Sequence, residues 1–213
     1  MTQQEFENLK TDMLSFVKEK KVCTKAYKAL LEAENIATMF SVMKRYWSSM
    51  IYENKEWVTA FVEKYYSLCK AEVNALSFYY NEDADEGLVF LSDSEEVEVS
   101  GDAEVYAMGT SQYKASGHVH VYAYDQSKGV INGYVKAILN DDASLEASGF
   151  TTVTANGNNS VEVNGPVTVY AGNTSQIKAL SWKRIVGAGN SVITAPVKRG
   201  IELSGNSNYV KLV

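Results

Sequence analysis

The chain has two prolines, two cysteines and two histidines among 213 residues, and no base at all between residues 71 and 113. Each shortage removes a class of protein. No apolar run approaches the roughly 18 residues that a membrane-crossing helix needs, so no membrane role is expected. Residues 1–5 are polar and lead straight into an amphipathic pattern, without the basic-then-apolar layout of a secretory signal, so the expected compartment is the cytoplasm. Cys23 and Cys69 stand alone beside apolar residues and read there as reduced, structural thiols rather than a disulfide or a reactive pair. No serine or cysteine is placed by spacing against a histidine, which leaves no Ser/His/Asp or Cys/His relay. The phosphate loop G-x-x-x-x-G-K-[ST], the H-E-x-x-H and C-x-x-C motifs and the dinucleotide fingerprint are all missing. The expectation is a protein without enzymatic activity and without a cofactor.

The missing bases leave one stretch strongly acidic. Residues 71–113 hold eleven acids, whereas 1–70 hold nine acids with eleven bases and 114–213 six acids with nine bases, for a net charge of −6. The cluster comprises Glu72, Glu82, Asp83, Asp85, Glu86, Asp93, Glu95, Glu96, Glu98, Asp102 and Glu104. It self-repels, keeps a domain joint solvated and discourages edge pairing; the competing reading is a surface that attracts a basic partner. Scattered bases and an acidic total speak against direct nucleic-acid binding.

What the chain does have is a repeat. Residues 94–205 divide into seven blocks of sixteen with no insertion or deletion. One turn column runs Gly101, Gly117, Gly133, Gly149, Gly165, Ser181, Val197, and the other Gly109, Asp125, Asp141, Gly157, Asn173, Gly189, Gly205. The columns beginning at Val105 and Ala107 stay small and apolar. A fixed period with a turn residue in each half-block predicts one coil of a stacked solenoid per block. Within a block, Val97, Val99, Ala103, Val105 and Ala107 alternate with Glu98, Ser100, Asp102, Glu104 and Tyr106. Each half-block is then a strand of about five residues with its small apolar side chains inward. Two parallel sheets face each other over a thin interior of Val, Ala and Ile, and seven coils about 4.8 Å apart make a rod of roughly 34 Å. That interior is too narrow for a ligand.

The first part reads as helical. Thr2 and Glu5 form a capping box before Phe6, Leu9, Met13, Phe16 and Val17, which share one face. Thr24 is the expected N-cap of a second helix carrying Tyr27, Leu30 and Leu31. A third places Ile36, Met39, Phe40, Met43, Trp47 and Met50 on one stripe, and after Asn54 a fourth places Trp57, Phe61, Tyr65 and Leu68. These stripes read as the core of a small bundle rather than a cofactor box. The expected fold is therefore α+β, a small helical bundle followed by a parallel β-solenoid. Its expected divisions are a helical domain at 1–77, an acidic junction and first strand at 78–93, the solenoid at 94–205 and a cap or tail at 206–213. Lys183 and Arg199 in an inward column, with Pro196, read as a terminator. The tail is expected either to fold over the last coil or to pair with a second chain.

Outward columns become ladders. One runs Asp102, His118, Tyr134, Phe150, Pro166, Trp182, Lys198; on the same sheet another runs Tyr106, Tyr122, Ile138, Thr154, Tyr170, Val186, Glu202. The opposite sheet shows small polar residues. The aromatic sheet, with His118, Tyr134, Phe150, Trp182, Tyr106, Tyr122 and Tyr170, is either covered within the fold, an interface for a partner protein or a second copy, or a sugar-stacking surface. Self-association through this face or the C-terminal end is one such use. His118 and His120 form an H-x-H pair flanked by Asp102 and Glu104 one coil earlier, a weak metal candidate whose plainer reading is surface charge pairing.

In general form the repeat resembles the short parallel β-solenoids of bacteria, such as bactofilins and adhesin heads, and more closely the octapeptide A-x-V-x-A-x-G/D arrays of bacterial and phage proteins. The likeness covers 89–203 and is carried by stretches such as AEVYAMG at 103–109 and VTVYA at 167–171. A helical head on such an array resembles proteins of mobile elements, which implies an anti-defence inhibitor imitating nucleic acid as an alternative to a protein-binding surface. The acids here concentrate in the first coils instead of running the whole length.

Overall fold

A computed structural model describes residues 1–21 and 23–212. The chain forms two compact units, Met1–Tyr80 and Asn81–Val213.

The first unit holds three helices: α1 (Gln3–Glu19), α2 (Thr24–Glu32) and α3 (Ile36–Asn74). The Thr2–Glu5 capping box starts α1, and Phe6, Leu9, Met13, Phe16 and Val17 are all buried. Cys23, not Thr24, occupies the N-cap of α2 and offers no side-chain bond there. Leu31 and Leu68 lie exposed, so the buried stripes are narrower than expected. The third and fourth expected helices are one element with a break: Asn54 has an extended backbone (φ −168°), and its Oδ1 accepts the Trp57 N–H at 2.9 Å. An asparagine capping from inside a helix restarts it without a loop. Trp57 stacks on Phe16 at 3.9 Å between ring centroids, which ties the second half of α3 to α1. Cys69 is buried on α3, and burial, with Glu72 nearby, pushes its thiol up to about 12. A thiol is reactive only as thiolate. A thiol-specific reagent on folded protein is therefore expected to label half-buried Cys23 and to reach Cys69 only on denaturation; equal labelling rates would refute this.

The second unit is a parallel β-solenoid of about eight turns with roughly sixteen residues per coil. One sheet stacks part of Val97–Met108 on His120–Ala123, Lys136–Leu139, Thr152–Ala155, Thr168–Ala171, Arg184–Gly187 and Ile201–Leu203. The other stacks the start of Val97–Met108 on Gln112–Gly117, Lys128–Gly133, Ser144–Ser148, Ser160–Asn164, Gln176–Ser181, Val192–Ala195 and Asn208–Lys211. The register is sixteen: Val105 pairs with Val121, Val121 with Ala137, Ala137 with Val153, Val153 with Val169, Val169 with Ile185 and Ile185 with Ile201. The stacking begins before the seven blocks, since Ala84–Ser92 pairs Val89 with Val105. It also runs past them. Residues 208–211 pair in the same register with 192–195, because the tail repeats the strand pattern of the coil before it.

The first turn column is glycine because the backbone demands it. Gly133 has φ +106° and Gly165 φ +138°, and a Cβ on Gly149 would sit 2.6 Å from the Gly133 nitrogen one coil away. L-residues are excluded there. Where Ser181 ends the column, the pairing of Ser160–Asn164 with Gln176–Ser181 slips by one residue. Beyond that slip the Lys183 and Arg199 side chains are exposed rather than inward, yet the coils continue, so these residues do not terminate the solenoid.

Two interior features depart from a plain Val/Ala/Ile filling. Tyr113 points inward and is buried, and Gly129 directly beside it has no side chain: a Cβ there would lie 2.2 Å from the Tyr113 Cζ. A buried polar column runs Ser111, Ser127, Asn159, Ser175, Ser191, at the second position after five of the turn residues, with Ala143 in the place after Asp141. Three of its members serve turn carbonyls: the Ser111 hydroxyl donates to Met108 at 2.6 Å, that of Ser175 to Gly172, and Asn159 Nδ2 to the carbonyls of Asn140, Asp141 and Ala143, while the Ser127 and Ser191 hydroxyls have no hydrogen-bond partner among the described residues. Buried turn carbonyls need such donors because no water reaches them.

Candidate interaction surface

The ladder of His118, Tyr134 and Phe150 follows the glycine turn at a corner of the coil. Its rings lie almost parallel, His118 on Tyr134 at 5.3 Å and 10°, Tyr134 on Phe150 at 5.6 Å and 11°. The in-register backbone dictates this, since identical positions on consecutive coils differ only by the rise between strands. His118 is exposed, Tyr134 is 60% exposed and Phe150 62%. Pro166 and Lys198 are exposed and Trp182 half-buried, with its Nε1 donating to the Arg199 carbonyl at 3.1 Å.

The second aromatic column differs. Tyr106 stacks on Tyr122 at 4.8 Å and 12°, but Tyr106 is buried, and its hydroxyl donates to Glu104 at 2.8 Å. Burial first, then Glu104, hold its phenol well above the usual range. Tyr106 therefore belongs to the core and not to a binding surface. Tyr122 is half-buried and Tyr170 is exposed but separated from it by Ile138 and Thr154. The continuous exposed stripe is the corner ladder alone.

The acidic cluster is divided. Asp83 accepts the Glu98 N–H at 2.8 Å, and Asp93 accepts the N–H and hydroxyl of Thr110. Asp93 also fills the space where Gly109 would carry a side chain. Glu96 pairs with Lys114 at 2.5 Å, with Glu98 at 3.9 Å from the same ammonium. Asp85, Glu95 and Asp102 are exposed and have no hydrogen-bond or ion-pair partner among the described residues, while Glu82 is half-buried and Glu86 exposed. The structure sets Glu104 opposite His120, and the His118 N–H donates to the carbonyl of Gly101, the residue before Asp102. Among the described residues, however, no three His, Cys, Asp or Glu side chains converge as a metal site would require.

The opposite sheet is plain, with a depression of about 260 Å³ bordered by Glu96, Lys128, Glu146 and Glu162, and the Glu162–Lys178 pair at 2.9 Å. No described helix is long and apolar enough to cross a membrane. Comparison with family models, curated proteins and solved structures returns no match for this chain. The buried Ser/Asn column and the Tyr113–Gly129 pair escaped sequence reasoning. The sixteen-residue spacing of Ser111, Ser127, Asn159, Ser175 and Ser191 is the signal that would have found the former.

Proposed function

We propose that the chain is a non-enzymatic, cytoplasmic protein-binding module whose corner ladder is the recognition surface. The observation that carries this is the exposure of Tyr134 and Phe150 on a backbone fixed by pairing on both sides. Large aromatic side chains held rigidly outward lose little entropy on binding and supply the apolar centre that interfaces use. A sugar-stacking role fits less well, because a pyranose needs a free ring face and between neighbouring coils those faces are occupied by the next ring. Similarity to the octapeptide arrays of mobile elements supports the other reading, an acidic mimic of nucleic acid acting as an anti-defence inhibitor. Only Asp85, Glu95 and Asp102 of the cluster stand unengaged, and Lys114 offsets Glu96.

Affinity capture of a partner with the wild type, with Tyr134→Ser/Phe150→Ser and with Glu95→Gln/Glu96→Gln/Glu98→Gln separates the two. The recognition surface predicts loss with the first variant, by more than about tenfold in affinity, and little salt dependence. Steep salt dependence with loss only in the second variant favours the mimic.

A further inference from the structure

We infer that the register slip at Ser181 builds a second site, a cationic pocket beside Trp182 that takes a phosphate-bearing aromatic ring of the nucleoside monophosphate class. The inference goes beyond the corner ladder and does not depend on it. The sixteen-residue pairing holds from Ser160 to Val163, but Asn164 pairs with Ser181, one residue further on. Two successive amides then converge on one acceptor: the Lys183 N–H at 2.9 Å and the Arg184 N–H at 3.4 Å both donate to the Val167 carbonyl. Such a bulge re-aims the side chains around it, and bulges are over-represented next to functional sites. In the coils before the slip this column is interior, with Ala103, Val119, Val135 and Val167 buried. After it Lys183 and Arg199 are exposed.

The slip also leaves an open cavity of about 320 Å³, bordered by Ser181, Trp182, Lys183, Val197, Arg199 and Gly200. Its indole is fixed, because Nε1 donates to the Arg199 carbonyl at 3.1 Å. Gly200, at φ +77°, lets the chain pass close by, since a Cβ there would lie 3.3 Å from that nitrogen. Trp182 is half-buried and, unlike the parallel rings of His118, Tyr134 and Phe150, has no ring contact among the described residues. Charge supports the site independently of any one side chain. Residues 163–213 hold six bases and a single acid, and that acid, Glu202, is engaged by Arg184 at 2.9 Å. No acid borders the cavity, so the local field is positive although the whole chain is acidic. An indole stacks on any nucleobase, because each has a π-face. A phosphate monoester carries nearly two charges and matches a guanidinium bidentately with an ammonium beside it. A bare anion or a neutral ring satisfies only half of this arrangement. The cavity is at the small end of ligand sites and open, so the dissociation constant is expected at about 0.1–1 mM.

Equilibrium dialysis of the purified full chain against adenosine monophosphate at low salt tests this, with adenosine, inorganic phosphate and a short 5′-phosphorylated single strand as competitors. The nucleotide is expected to bind, and adenosine and phosphate to compete at least about tenfold less well. Trp182→Ala, and separately Lys183→Gln with Arg199→Gln, are each expected to weaken binding by more than about tenfold. The second variant changes only exposed side chains and is expected to keep the wild-type circular dichroism, so its loss of binding is not a loss of folding. Lys128→Gln with Lys136→Gln, exposed bases on other coils, and Tyr134→Ser with Phe150→Ser are expected to leave binding unchanged. Competition by the single strand equal to that of the nucleotide identifies a free nucleotide, and much stronger competition the end of a strand; both keep the same ring and phosphate in the pocket. No binding at millimolar nucleotide overturns the site. So does phosphate competing as well as the nucleotide, or binding indifferent to Trp182, since either leaves only a basic surface.

Discussion

Gly129→Val is expected to destabilise the solenoid severely, and Tyr113→Val in the same chain to restore most of what is lost. The Tyr113 ring occupies the volume next to Gly129, so the first new carbon at 129 would already lie 2.2 Å from Cζ and 2.4 Å from the hydroxyl oxygen. Backbone pairing on both flanks prevents the strand from backing away. Overfilling a packed interior costs about 1–3 kcal/mol and occasionally more, and this contact belongs at the upper end. The double variant places a valine on each of the two rungs between Val97 and Leu145, so the volume of one ring is redistributed over two neighbouring coils. It also removes a buried hydroxyl that has no hydrogen-bond partner among the described residues, a group whose burial costs about 1–3 kcal/mol when unmet. Thermal or denaturant unfolding of the two single variants and the double gives the coupling energy, expected to exceed about 1 kcal/mol in favour of the pair. Strict additivity would mean that Tyr113 does not fill that space.

Removing residues 142–157, one whole coil, is expected to leave a folded solenoid shorter by one rung, whereas removing 143–157 is expected to abolish the order of everything C-terminal to the cut. In the first case Asn158 takes the place of Asp142 after the Asp141 turn, and Val161 stacks in the column of Leu145. Coils contact only their neighbours, so the loss is that of one repeat and one interface. In the second case each later residue moves by one place, and because side chains alternate, the interior Val and Ile columns turn outward. Circular dichroism and limited proteolysis distinguish the two products. Equal damage from both cuts would contradict the sixteen-residue register itself.

The contrast shows why so much of the solenoid was legible. In a stacked coil, contact between distant residues is a fixed sequence interval, so a column such as Val105, Val121, Ala137, Val153 states both burial and partner. The helical unit offers no such interval. Its apolar stripes marked the buried faces of α1 and the first half of α3, but not that Asn54 would cap from inside a continuing element, nor that Leu31 and Leu68 would face outward. Those depend on how helices cross, which a local pattern does not contain. On the candidate surface, alternation set Tyr106 in one column with half-buried Tyr122, on which it stacks. Whether a column is covered is a non-local matter, and Tyr106 is buried together with Phe90, its partner in the same column. The exposed Lys183 and Arg199 were misread for a related reason. A lysine in an inward column signals an ending only if the column remains inward, and the one-residue slip at Ser181 removes that condition.

The unbroken spacing has a further meaning for anything that touches the rod. Positions along its axis come in steps of about 4.8 Å, so adding or dropping one coil moves the two ends of the solenoid by that amount and changes contacts only at the junction. Such a molecule is a ruler with removable graduations. Binding measured against a set of coil-number variants would read out, in rungs, the footprint of whatever partner it holds.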